Sequence, residues 1–143
     1  MISGAGNPVG GSFTGPAEAL ETIGDHAYAY SGFHTAANTT NGKTVLDFTT
    51  GNYYFVGQLI FNGYTAPSEP TYGDDGTCEL KLNNSIIAAL KCGTASEVMP
   101  SNVKAEIVIN PYTKVEVAIK AEGSNSDIGS TVILVGRIYR TRD

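Results

Sequence analysis

The chain has little of what most enzymes use. Its 143 residues include two histidines, two cysteines and no tryptophan. That leaves scant material for acid–base or metal chemistry and no disulfide framework. An enzyme is therefore not expected, nor is a cofactor. Charge is also sparse, at 16% of residues against a usual ~25%. A surface so poor in charge must be covered by Ser, Thr, Asn and Gly, or hidden against a partner. There is no basic excess. The net charge is −5, which argues against nucleic acid as a partner. Long hydrophobic runs are missing too. The longest purely apolar run is Ile86–Leu90, far short of the ~20 residues of a membrane span. Met1 to Gly15 has neither a basic region nor an apolar core, so it does not read as a signal peptide.

What is present suits a single domain with a core of its own, since a chain of this length buries roughly two thirds of its unfolded surface. Residues 1–17 carry no charge and hold Gly4, Gly6, Gly10, Gly11 and Gly15. They read as an extended arm or tail, with the domain itself over 18–143. Pro16 with Glu18 and Glu21 allows one helical turn over Pro16–Ile23. From Asp25 onward the pattern has period two. The predicted strands are His26–Tyr30, Lys43–Thr50, Tyr53–Asn62, Cys78–Leu82, Ile86–Cys92, Val103–Asn110, Thr113–Ala121 and Thr131–Tyr139. Asn41-Gly42 and Asn83-Asn84 supply hairpin turns. In Thr113–Ala121, Val115, Val117 and Ile119 face in while Lys114, Glu116 and Lys120 face out. In Lys43–Thr50, Leu46 and Phe48 share one face, Val45 and Asp47 the other. About eight antiparallel strands with regular turn signals predict an all-β fold, a single jelly-roll β-sandwich.

Two strands break the wet-face rule. Tyr53–Asn62 carries Tyr53, Phe55, Leu59 and Phe61 on one side and Tyr54, Val56 and Ile60 on the other. Thr131–Tyr139 likewise sets Ile133, Val135 and Tyr139 against Val132, Leu134 and Ile138. An antiparallel strand with one solvated face should alternate with polar residues. Both strands are therefore expected either to be covered on the second face or to sit in a subunit interface.

Motifs for chemistry are thin. Gly4–Gly11 has the glycines of a phosphate loop but no preceding strand, following helix or Lys-Ser/Thr pair. Asp25-His26 and His34 lie near no nucleophile motif. No metal site is expected, because the His and Cys spacings match no compact zinc motif. Asp74-Asp75, with Glu69 nearby, sits in a glycine-rich loop without the spacing of a calcium loop. If Leu82 opposes Ile86 across a three-residue turn, Leu80 faces Ala88 and Cys78 faces Leu90. Cys92 is then diagonal to Cys78 at roughly 7 Å, the outer limit for a disulfide. Two buried thiols are expected, with a disulfide if a bulge shifts the register. Tyr64, Tyr72 and Tyr112 lie in or beside turns and could offer aromatic faces to a glycan, although tyrosine is also enriched at protein interfaces.

The segments DHAYAYSGFH, TVLDFTTGNYYFVGQLIFNG, ELKLNNSIIA, VINPYTKVEVAIKAEG and STVILVGRIYR together resemble small virion proteins of tailed bacteriophages. Those proteins have a jelly roll similar to the tumour-necrosis-factor fold. The resemblance runs from about Asp25 to Arg140 and carries no catalytic signature. It implies a capsid decoration, or cement, protein: a homotrimer on the capsid exterior of the virion, whose partner is the major capsid protein. The trimer interface is then expected at Tyr53, Phe55, Val56, Ile60, Ile133, Val135 and Tyr139. Capsid contact is expected through Asn7, Pro8, Val9 and Phe13 of the arm. The alternative is a receptor- or glycan-binding head of a tail fibre or spike, with Tyr64, Tyr72, Asp74 and Asp75 in its ligand loop. The absence of a fibre-shaft segment from the chain favours decoration.

Overall fold

The computed structural model describes residues 20–37, 42–64, 76–92, 101–121 and 128–140. The strands, in chain order, are β1 (Glu21–Ile23), β2 (His26–Tyr30), β3 (His34–Ala36), β4 (Lys43–Thr49), β5 (Tyr53–Tyr64), β6 (Gly76–Leu82), β7 (Ser85–Cys92), β8 (Ser101–Ile109), β9 (Lys114–Ala121) and β10 (Ile128–Arg140). They form two antiparallel sheets packed face to face, a β-sandwich without helices among the described residues. One sheet runs β1-β2-β10-β5-β8, and β3 also pairs with β10. The other runs β4-β9-β6-β7.

The core lies between the sheets. From the six-stranded sheet it takes Ala27 and Ala29 of β2, Phe55, Leu59 and Phe61 of β5, Ile107 and Ile109 of β8, and Val132, Leu134 and Ile138 of β10. The four-stranded sheet contributes Val45, Leu46 and Phe48, Cys78 and Leu80, and Val115, Val117, Ile119 and Ala121. In most strands these residues alternate, as a pleated strand with one face inward requires. Strand β4 departs from that expectation. A bulge between Thr44 and Leu46 inserts Val45 as an extra residue, so Val45 and Leu46 are both buried. Val45 thus joins the core instead of facing out with Asp47.

The β6–β7 hairpin differs in its turn. Leu80 opposes Ala88 and Cys78 opposes Leu90, as the spacing predicts. The turn, however, has two residues, and Leu82 opposes Ser85. Asn83 and Asn84 both adopt positive φ, 51° and 68°, the geometry that matches strand twist in two-residue hairpins. The spare residue, Ile87, is absorbed by a bulge between Leu80 and Lys81. Cys78 is buried and Cys92 stands opposite Gly76; the Cys92 side chain is outside the described residues.

Two strands were not expected. Glu21–Ile23 is extended and pairs with β2, so this part of the proposed helical turn is corrected to strand. His34–Ala36 pairs with β10 beyond the end of β2. Between β2 and β3, Ser31 bridges to the neighbouring strand. Its N–H donates to Val132 O at 2.9 Å, and its Oγ accepts from Val132 N at 2.8 Å. After β3 the chain leaves this sheet. Ala37 O accepts from Ala121 N of β9, which starts the crossing to β4. At the opposite end, Thr50 ties two loops together. Its Oγ accepts from Thr113 N at 2.8 Å and donates to Asn110 O at 3.0 Å.

Candidate functional site

The two outer faces of the sandwich differ in chemistry. On the four-stranded sheet, the register places Asp47, Glu116, Lys81 and the exposed Ile86 in one row, and Lys120, Thr77 and Lys91 in another. Glu79 lies between them. Lys114 and Glu116 approach to 3.5 Å. Apart from the exposed Ile86 and Ile87 on the edge strand β7, this is a solvated face of mixed charge.

The outer face of the six-stranded sheet is aromatic and aliphatic. Its rows are read across β2, β10, β5 and β8. They are Tyr30–Ile133–Ile60–Lys104, Tyr28–Val135–Gln58–Glu106 and His26–Arg137–Val56–Val108. Tyr139 stands beside Tyr54 at one end of β10 and β5. At the other, Asn62 donates from Nδ2 to Thr131 Oγ1 at 3.1 Å. The Tyr28 and Tyr30 rings lie 4.9 Å apart, tilted by 38°. Tyr30, Tyr54, Val56, Val108, Val135 and Tyr139 are exposed, several by half or more, while Tyr28, Ile60 and Ile133 are half-buried. Arg137 interrupts the face on the central strand β10, with His26 beside it on β2, and Lys104 and Glu106 lie on the edge strand β8. A contiguous apolar face of this kind marks an interaction surface, unlike scattered single hydrophobics.

Behind this face, β5 and β10 approach closely at an inward-facing glycine pair. Gly57 of β5 and Gly136 of β10 are register partners. A Cβ on Gly57 would fall into the Val135 carbonyl oxygen, and one on Gly136 into that of Val56. The Phe55 ring fills the inner side, its Cζ 2.8 Å from where the Gly57 Cβ would be. Beside this pair, Val56, Gly57, Gln58, Glu106, Ile107 and Val108 line a shallow depression of about 490 Å³ between β5 and β8.

The residues expected at an interface divide between two sides. Val56, Ile60, Ile133, Val135 and Tyr139 share the outer face. Phe55 does not: it is fully buried in the core. Tyr53 packs against the same core. Both are corrected to core-side residues, because side chains of one strand two apart point the same way. Asn7, Pro8, Val9 and Phe13 lie outside the described residues, as do Tyr72, Asp74 and Asp75. Tyr64 ends β5, and its side chain is likewise outside them. Tyr28, Tyr30, Tyr54 and Val108 complete the face and lie outside the expected interface set, although the sequence already sets Tyr54 on one side with Val56 and Ile60. The signal for the first two was present in the alternation His26-Ala27-Tyr28-Ala29-Tyr30, with alanines inward.

His34 is the one buried histidine among the described residues. Its Nε2 lies 2.8 Å from Ser31 O. A carbonyl only accepts, so this nitrogen carries the proton. Burial, reinforced by the Lys43 charge, holds its pKa below the usual 6.5 against the opposing pull of that hydrogen bond. Its role here is to close the β2–β3 corner.

No protein-family model matches this chain, and no curated protein matches it.

Proposed function

We propose that the chain is a structural protein of a phage virion, a decoration protein that binds the exterior of an icosahedral head as a homotrimer and acts without catalysis. The observation that carries this reading is the contrast between the two outer faces: one charged and wet, the other apolar and tyrosine-rich. In an oligomer the second face is covered by copies of the same chain, which removes its apolar surface from water at ~25 cal/mol per Å². The strand orders β2-β10-β5-β8 and β4-β9-β6-β7 support a jelly roll, since from β3 to β10 the chain changes sheet at every step except the β6–β7 hairpin, as in nested Greek keys. The resemblance to phage virion proteins supplies the partner. A protein that binds only the assembled shell stabilises that shell by mass action. The uncharged arm, residues 1–17, supplies an additional capsid contact in this reading.

Co-sedimentation with undecorated phage capsids tests it. Saturable binding at a fixed ratio to capsid subunits is expected. Protein that stays in the supernatant, or that sediments only with isolated tails or host cell-surface glycans, overturns it.

A further inference from the structure

We infer that, within this oligomer, Arg137 of one copy enters the depression between β5 and β8 of the next and pairs there with Glu106. The inference rests on the homotrimer proposed above and names its polar contact.

The depression is open on the outer face and combines apolar side chains, Val56 and Val108, with a single acid, Glu106. Its volume of about 490 Å³ accommodates a long side chain, being in the range that holds small ligands. Glu106 is exposed and has no ionic partner among the described residues. Arg137 is likewise exposed and unpaired among them, on the same face but on the side of the β2–β10 pair. Two strand spacings and one row separate the two residues, roughly 12 Å between Cα atoms. The opposite charges therefore occupy opposite halves of one apolar face. A second copy that brings its β2–β10 half over the β5–β8 half of the first joins them. Lys104, the other charge on β8, lies one row beyond Glu106 from Val108. It stands away from the depression, so an arginine entering over Val56 and Val108 reaches Glu106 first.

Arginine suits the position. Its guanidinium is weakly hydrated, packs over tyrosine and apolar surface, and can hold a carboxylate with two hydrogen bonds. The contact uses different patches on the two partners. A ring closes with such heterologous contacts, so each copy gives one arginine and receives another. The pair fixes which rotation of an otherwise greasy face is adopted, the role that charge most often plays at interfaces.

Charge reversal tests the contact. The variants are Arg137→Glu, Glu106→Arg and the two together. Each is measured by light scattering after gel filtration, with circular dichroism to verify the fold. The unmodified chain is expected as a trimer. Each single reversal places like charges together and should weaken association by about a hundredfold or more, leaving folded monomer at micromolar concentration. The double reversal should restore the trimer. A single variant that keeps the full mass, or a folded double variant that stays monomeric, overturns the contact while the homotrimer stands. A monomeric unmodified chain overturns the homotrimer and the contact with it.

Discussion

Leu134 and Val135 are neighbours in β10 whose replacement should have opposite consequences. Leu134 is fully buried between Ala29 and Leu59. Truncation to alanine removes three heavy atoms from a packed core and should cost about 2–5 kcal/mol of folding stability, the cavity term included. Val135 points to the outer face and is 37% exposed in the single chain. An aspartate there keeps its contact with water in the monomer, so Val135→Asp should cost about 1 kcal/mol or less, mostly from lower strand propensity. In the oligomer the same carboxylate is buried without a partner. At about 3 kcal/mol per contact, each association constant falls by more than a hundredfold. Urea denaturation followed by tyrosine fluorescence, beside gel filtration with light scattering, separates the two effects. Leu134→Ala should lower the unfolding midpoint. Val135→Asp should give a folded monomer of near-normal intrinsic stability. A Val135→Asp protein that assembles like the unmodified chain, or one that does not fold, refutes the assignment of this face.

Four further outcomes follow from single groups. Thr50→Val leaves the Thr113 N–H without its 2.8 Å acceptor and should cost about 1–3 kcal/mol, read as a lower urea midpoint, whereas Thr50→Ser should recover most of it. Gly136→Ala forces a methyl into the Val56 carbonyl, and both β5 and β10 are held by neighbours on each side. The expected loss is about 3 kcal/mol, at the upper end for overpacking. Gly24→Ala, which meets nothing within 4 Å and carries only its positive φ of 62°, should cost about 1–2 kcal/mol. His34 has a pKa in the fold below its ordinary 6.5, so the unfolded chain takes up its proton first. Its contribution to stability is complete above pH 6.5 and is lost as the pH falls from there toward the folded value. His34→Gln should flatten that part of the stability–pH curve.

Much of the fold was legible because period-two alternation survives in β9 and in the β6–β7 hairpin, where Lys and Glu mark the wet side. It failed where both sides are apolar. In β5 nothing local distinguishes Phe55 from Val56. The choice is made by register with β10 and β8, which sets Phe55, Leu59 and Phe61 against the opposing sheet. Strands β1 and β3 were missed because three residues cannot display a pattern. They exist because the 13-residue β10 extends past β2 and offers an edge to β3, while β2 offers its own to β1. The bulges in β4 and β7 were also invisible, since an inserted residue looks like a phase error. The outer face was only half legible. Tyr28, Val56 and Val135 come from distant parts of the chain, and their meeting depends on pairings that no single segment encodes.

Sedimentation equilibrium of the unmodified chain tests the central claim, that the tyrosine-rich face is covered by copies of the same protein. The account predicts one species of about 45 kDa, three times the 15.0 kDa chain, the mass of the proposed threefold ring. A stable 15.0 kDa monomer across the micromolar range would contradict it.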